Sequence, residues 1–303
     1  MGSKAVHRLS RYALGRNRIL NWKARKNMSE NDKVISNVLV VIEPAEDVQH
    51  ALQRAMKTHE MLENDVNIHL FISFEMDKLK AGGNNYDFSC DNSWFESLVS
   101  PLVEKKITYS AEVFWTENWH RSIMASVKSH DIDMIIMSDY TTEKNQNDLS
   151  AEKWTLLRVS ECPVLIVHPK AKLHRKTILA AVNMQTDNPR YVELNAKILK
   201  MARMMASYYG AEKHIVNAYE DSLEFPDRAK LLHDTDTKQP NVHVQLGNPT
   251  TIIATVADDI DADVVIIGTL SRRGILAAMR GNKSEDIIHR LNRDVMVLNS
   301  LSS

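Results

Sequence analysis

The residues whose types and spacing could do chemistry gather late in the chain. The sequence holds nine glycines, and three of them, Gly268, Gly274 and Gly281, fall within GTLSRRGILAAMRG. Glycine lets a backbone approach a ligand closely and adopt positive φ. The stretch begins where the apolar run DVVIIGT (263–269) ends, and it closes where a helical pattern over 281–292 opens. Open parallel sheets bind ligands there, outside the carboxyl ends of their strands. A helix N-terminus behind such a loop offers free N–H groups and a favourable dipole to phosphate. Arg272 and Arg273 add positive charge, and Thr269, Ser271, Asn282 and Ser284 add polar groups. The competing reading is a turn that only needs flexibility, with solvated charges.

Other chemical signatures are missing. There is no G-x-x-x-x-G-K-[ST] loop, no G-x-G-x-x-G after the first strand of either half and no G-x-S-x-G elbow. These gaps argue against P-loop hydrolysis, dinucleotide oxidoreduction and elbow-type hydrolysis. Among the twelve histidines, no pair has metal-ligand spacing, and His120 with His130, like His168 with His174, reads as incidental. No catalytic residue and no protein metal site is therefore expected. Met201, Met204 and Met205 read as helix packing. Trp115, Trp119 and His120 sit at a strand end and read as ordinary packing, with an apolar pocket as the alternative.

The elements that must position the loop form a repeat. Apolar runs rich in Val and Ile mark buried parallel strands at 37–43, 67–73, 107–115, 133–138 and 163–168, and again at 177–183, 213–219, 241–247, 263–269 and 294–300. Helical patterns lie between them, at 46–63, 91–106, 119–130 and 151–160, then at 189–208, 249–259 and 281–292, with a short one near 225–233. Asp131-Ile-Asp-Met-Ile-Ile aligns with Asp261-Ala-Asp-Val-Val-Ile. Strand alternating with helix, twice over, predicts an α/β chain of two tandem doubly wound domains. Each is expected to be one five-stranded parallel sheet with helices on both faces. The boundaries expected are 34–169 and 177–303, joined by a linker at 170–176, after a basic leader at 1–33.

With these segments in place, the glycine stretch resembles that of the universal stress protein family: G-x-x-G, nine residues, then G followed by Ser or Thr. Gly268 and Gly281 match, whereas Ser271 and Asn282 replace the second glycine and the hydroxyl. Trp154-Thr-Leu-Leu-Arg before Cys162-Pro-Val, the segment Gly281-Asn-Lys-Ser-Glu and the turn Gly247-Asn-Pro also resemble the family, which covers roughly 34–300 in its tandem form. The resemblance implies an adenine nucleotide alpha hydrolase-like fold. It also implies an adenine pocket at the end of the first strand, where Glu43 stands in the first half and Asn183 in the second. The ligand residues so implied are Asn183, Gly268, Thr269, Ser271, Arg272, Arg273, Gly274, Gly281, Asn282 and Ser284. In the first half the loop position reads SDYTTEKNQN, without glycine and with Asp139 and Glu143 to repel phosphate.

Composition bounds the rest. Eight of the 38 basic residues fall in 1–27, which has no acid, so 30 basic residues face 39 acids in the remainder. An acidic body argues against nucleic acid as the main partner. The leader reads as a disordered arm or a tether, and Met28 as an alternative start. Two cysteines without metal spacing suit a reducing cytoplasm, and no apolar stretch is long enough to span a membrane.

The function expected is that of a cytoplasmic, non-enzymatic stress-response protein. Its second domain would bind ATP, AMP or another phosphorylated small molecule, with Mg2+ only where it accompanies the nucleotide. The alternative is an interaction scaffold with vestigial pockets. Pairing of the two domains within the chain is expected, a contact that in the scaffold reading the apolar fifth strands could supply as neighbouring edges, with a homodimer as a further possibility and the protein partners unnamed.

Overall fold

The computed structural model describes residues 35–62, 66–74, 92–116, 118–140, 149–270, 287–288 and 290–300. All ten expected strands form: β1 (Asn37–Ile42), β2 (Asn67–Phe74), β3 (Tyr109–Trp115), β4 (Met134–Ser138), β5 (Val164–Val167), β6 (Thr177–Ala181), β7 (Glu212–Tyr219), β8 (Val242–Leu246), β9 (Val264–Thr269) and β10 (Asp294–Asn299). The helices are α1 (His50–Met61), α2 (Asn92–Glu104), α3 (Trp119–Ser129), α4 (Ala151–Val159), α5 (Pro189–Tyr209), α6 (Arg228–Thr235) and α7 (Pro249–Asp259). The leader lies outside the described residues.

Alternation within the apolar runs builds two layers. Val38, Val40 and Ile42 face one core together with Leu102 of α2 and Ile198 of α5. Leu39 and Val41 face the other, with Ile123 of α3, Leu156 of α4 and Val256 of α7. Strands buried on both faces need both sets of side chains apolar, which is why the runs of inner strands such as β1, β4 and β5 are continuous while the edge strands β3 and β8 carry polar residues.

Each half forms the expected five-stranded sheet, and the two join through their fifth strands. Strand order is β3-β2-β1-β4-β5-β10-β9-β6-β7-β8, a continuous ten-stranded sheet. Pairing is parallel within each half. At the centre β5 and β10 run antiparallel, with Leu165 opposite Met296. Each half therefore closes the edge strand of the other, and neither exposes that row of backbone donors and acceptors.

The repeated Asp-x-Asp pairs explain themselves locally. Asp131 and Asp261 hold left-handed backbone conformations, at φ 49° and 47°. The second aspartate of each pair then accepts from the start of a neighbouring strand. Asp133 Oδ2 takes the N–H groups of Ser36 and Asn37, and Asp263 Oδ2 takes those of Lys176 and Thr177.

The seam carries a buried ionic cluster. Asp294, fully buried at the start of β10, receives Arg175 Nη2 at 2.6 Å and Arg54 Nη2 at 2.8 Å. Its other oxygen accepts the His168 N–H at 3.1 Å. Arg54 also donates to the carbonyls of Leu173 and Lys172, and Arg175 stacks over the Tyr209 ring. Burial and the charge of Arg175 push the Arg54 pKa down. One carboxylate thus joins a helix of the first half, the connector and the last strand of the second. Asp294→Asn leaves two buried guanidiniums without a counter-charge. It is expected to cost about 3–5 kcal/mol in urea unfolding. Lys172→Ala, which removes an exposed pair with Asp261, is expected to leave the transition unmoved.

Candidate functional site

Two equivalent crevices open at the carboxyl ends of the strands, where the chain turns from β1 to β4 and from β6 to β9. They differ in the residues placed there.

In the first half, Gln49 at the start of α1 holds the end of β1. It donates to the carbonyls of Glu43 and Glu46 and accepts the Glu43 N–H. The Glu43 carboxylate is taken by Lys153 Nζ of α4 at 2.7 Å, and Lys153 also donates to the Ser138 carbonyl. Tyr140 lies 3% exposed beside them and donates its hydroxyl to the Val48 carbonyl at 2.7 Å. Its pKa is pushed up to about 12, chiefly by burial. Among the described residues, Lys153 and Tyr140 occupy this end of the sheet. Of the glycine-free segment, 141–148 lies outside the described residues.

In the second half, Asn195 of α5 plays the part of Gln49. It accepts the Asn183 N–H and donates to the Asn183 carbonyl at 2.6 Å. Asn217 accepts the Met184 N–H and donates to Gln185, which donates in turn to the Ala218 carbonyl. The rim is thus held rigidly by amides. No lysine closes it among the described residues. Asn183 Oδ1 is buried and has no hydrogen-bond partner there. A cleft of about 230 Å³ begins at the next residue, lined by Met184, Gln185, Phe225, Lys230 and Leu231 among others, and Asn183 is not part of its lining.

Of the expected ligand residues, Asn183, Gly268 and Thr269 are described: Gly268 and Thr269 end β9, and Asn183 lies two residues beyond the end of β6. Ser271, Arg272, Arg273, Gly274, Gly281, Asn282 and Ser284 lie outside the described residues. Gly268 has a reason to be glycine that the loop reading did not supply. A Cβ there would meet Leu194 Cδ2 at 2.6 Å and Ile198 Cδ1 at 2.9 Å. Its smallness lets α5 lie directly on β9. The turn at 247–249 is likewise structural: Asn248 Oδ1 caps α7 through the N–H groups of Thr250 and Thr251, and Pro249 opens the helix.

Met201, Met205 and Trp119 follow the packing reading, whereas Trp115 is largely exposed. Met201 and Met205 are buried in the core between α5 and the sheet, and Trp119 is buried under the opposite face. Trp115 is 58% exposed and stacks on Phe74 at 4.6 Å between ring centroids.

The pairing of His120 with His130 does not recur in the fold. His130 instead meets His69 and Glu112, with ligand atoms within 4.8 Å of one another. His69 and His130 are far apart in sequence, so no spacing rule could pair them; only the β2–β3 register and the end of α3 do. Burial and the neighbouring His130 lower the His69 pKa. Burial alone would raise that of Glu112, but hydrogen bonds with Ser126, His130 and His69 bring it below its ordinary value.

The folded chain defines a tandem, doubly wound α/β protein whose two halves carry different residues at the ends of their first strands. Residues 176–299 match the family model described as the universal stress protein family. Across its length the chain is similar to universal stress protein E of Photorhabdus laumondii, 26% identical over 86% of this chain and 94% of that protein. Universal stress protein E of Escherichia coli K12 is 25% identical over 86% and 93%. Among solved structures, a putative universal stress protein of Pseudomonas aeruginosa UCBPP-PA14 superposes with a TM-score of 0.72 at 26% identity, over 88% of this chain and 93% of that one. A universal stress protein from Archaeoglobus fulgidus shares the fold, with a TM-score of 0.62 at 17% identity over 87% and 96%. The second half is a domain of the universal stress protein family, and the whole chain is similar to that family's tandem E-type members.

Gly268→Ala, the smallest intrusion between β9 and α5, is expected to lower stability by about 1–3 kcal/mol in chemical unfolding. The loss should be the same with or without added nucleotide, because the clash lies beneath the crevice rather than in it.

Proposed function

We propose that the protein is a cytoplasmic, non-enzymatic regulator of the stress response. Its second half would take an adenine nucleotide, ATP or AMP, or a related phosphorylated small molecule, as a regulatory ligand. The observation that supports this most is Asn183 Oδ1: a buried acceptor without a partner among the described residues, at the strand end where an adenine would lie. An unmet buried acceptor costs about 1–3 kcal/mol, and an exocyclic amine would satisfy it. The loop from Gly268 to Ser284 follows the adjacent strand, and its arginines and glycines would receive the phosphates, with Mg2+ accompanying them. Ligand binding would order that loop and change the surface offered to partners. The first half contributes no second ligand, since Lys153 neutralises Glu43 at the matching place.

Titration calorimetry with ATP on the full chain, stripped of bound small molecules, tests the reading. One nucleotide per chain is expected. Asn183→Leu should weaken binding about tenfold, matching one lost hydrogen bond to a buried acceptor, while Glu43→Gln leaves it unchanged. The bound nucleotide should be recovered uncleaved. No binding at millimolar ATP, or binding indifferent to Asn183→Leu, would remove the nucleotide reading and leave an interaction scaffold.

A further inference from the structure

At the far edge of the first half, remote from both crevices, three side chains converge beneath the outer strand. His69 projects from β2, Glu112 from the neighbouring β3 and His130 from the residue that ends α3. His69 Nε2 lies 3.2 Å from Glu112 Oε2, and His130 Nε2 lies 2.8 Å from Glu112 Oε1. The imidazoles stack with centroids 4.0 Å apart.

The surroundings prepare these groups as ligands. Ser110 Oγ sits 2.7 Å from His69 Nδ1, and with Nδ1–H donating to it the Nε2 lone pair faces the carboxylate. Ser126 donates to Glu112 Oε2 at 2.6 Å and fixes the carboxylate plane. The His69 side chain is 5% exposed, and among the described residues its Nε2 is met only by Glu112 Oε2 at 3.2 Å. Glu112 and His130 are 32% and 35% exposed, so the cluster opens to solvent on one side. Ligand atoms around a tetrahedral zinc, at bonds of about 2.1 Å, stand roughly 3.4 Å apart. The His69–Glu112 separation of 3.2 Å is near that value, and the His130–Glu112 separation of 2.8 Å would have to widen as an ion enters.

The second half supplies a contrast. Leu39 pairs with His69 where Leu179 pairs with His214, so His214 occupies the equivalent place. Phe71 pairs with Glu112 where Val216 pairs with His243, so a histidine replaces the glutamate. His214 Nδ1 and His243 Nε2 bond to each other at 3.1 Å. There the buried histidine meets another histidine, whereas in the first half its nitrogen faces a carboxylate and a second imidazole.

We propose that His69, Glu112 and His130 form a binding site for one Zn2+ or a similar divalent transition ion. Water would complete the coordination from the open side, and the ion would clamp the end of α3 and the edge strand β3 onto β2. Imidazole and carboxylate ligands suit zinc and its neighbours better than magnesium. The site is independent of any nucleotide in the second half.

The test is calorimetric titration of Zn2+ into the metal-free full chain, paired with the visible absorption of Co2+ bound in its place. One ion per chain is expected, with the intense absorption of tetrahedral cobalt. Binding should weaken at least tenfold in Glu112→Gln and in His130→Ala, both at partly exposed positions. His214→Gln should leave it intact. Should His69→Ala fail to fold, the other two variants still decide. Absence of saturable binding, two equivalent ions per chain, or binding unaltered in Glu112→Gln and His130→Ala would each overturn the proposal.

Discussion

Everything in this chain that has a defined position relative to its other half depends on a single carboxylate. Asp294 is 0% exposed and sits where β10 begins its antiparallel run against β5. Apolar pairing alone could slip in register, because Val164, Leu165, Ile166 and Val167 offer similar surfaces at every step. A buried charge cannot slip. Its two guanidiniums come from α1 and from the connector, and its backbone donor comes from the residue just after β5. A displacement by one residue would strand an ion in a dry interior, which is among the costliest errors a fold can make. Asn299 reinforces the seam at the other end of β10 by donating to the last carbonyls of α4, at Leu157 and Arg158.

That rigid seam frees the two halves to diverge. Since each supplies the other's missing edge, neither needs a ligand or a second chain to close its sheet. The first half places Lys153 against Glu43 at its strand ends and carries a histidine–carboxylate cluster at the opposite end of its strands. The second half keeps the amide-lined rim around Asn183. Among the described residues, the same five-strand plan thus presents a paired carboxylate on one side and an unsatisfied acceptor on the other, and the proposed division of roles follows from that asymmetry.

Much of the fold was legible because it rests on local patterns. Continuous Val/Ile runs gave all ten strands, and the two Asp-x-Asp pairs were recognisable as equivalents before their role at the strand starts was known. The single sheet was less legible. Apolar fifth strands allowed a pairing of the halves, but nothing in the pattern showed that the sheets would fuse. The ionic cluster was hidden because Arg54, Arg175 and Asp294 read individually as surface charges, and only the fold brings them together. The site was legible in part. Asn183 was found by its place at a strand end, and its orphaned oxygen required coordinates. Gly268 was read for its freedom to approach a ligand, whereas the close neighbour it actually has is α5. His69, Glu112 and His130 were missed because spacing rules see only ligands on one element, and these lie on three.

The central claim is that the ligand belongs to the second half alone. A crystal structure of the full chain grown with ATP tests it most directly. The account predicts adenine density against Asn183, with the exocyclic amine within hydrogen-bond reach of its side-chain oxygen and Lys153 still bound to Glu43. Nucleotide seated beside Glu43, with Lys153 displaced, would contradict it.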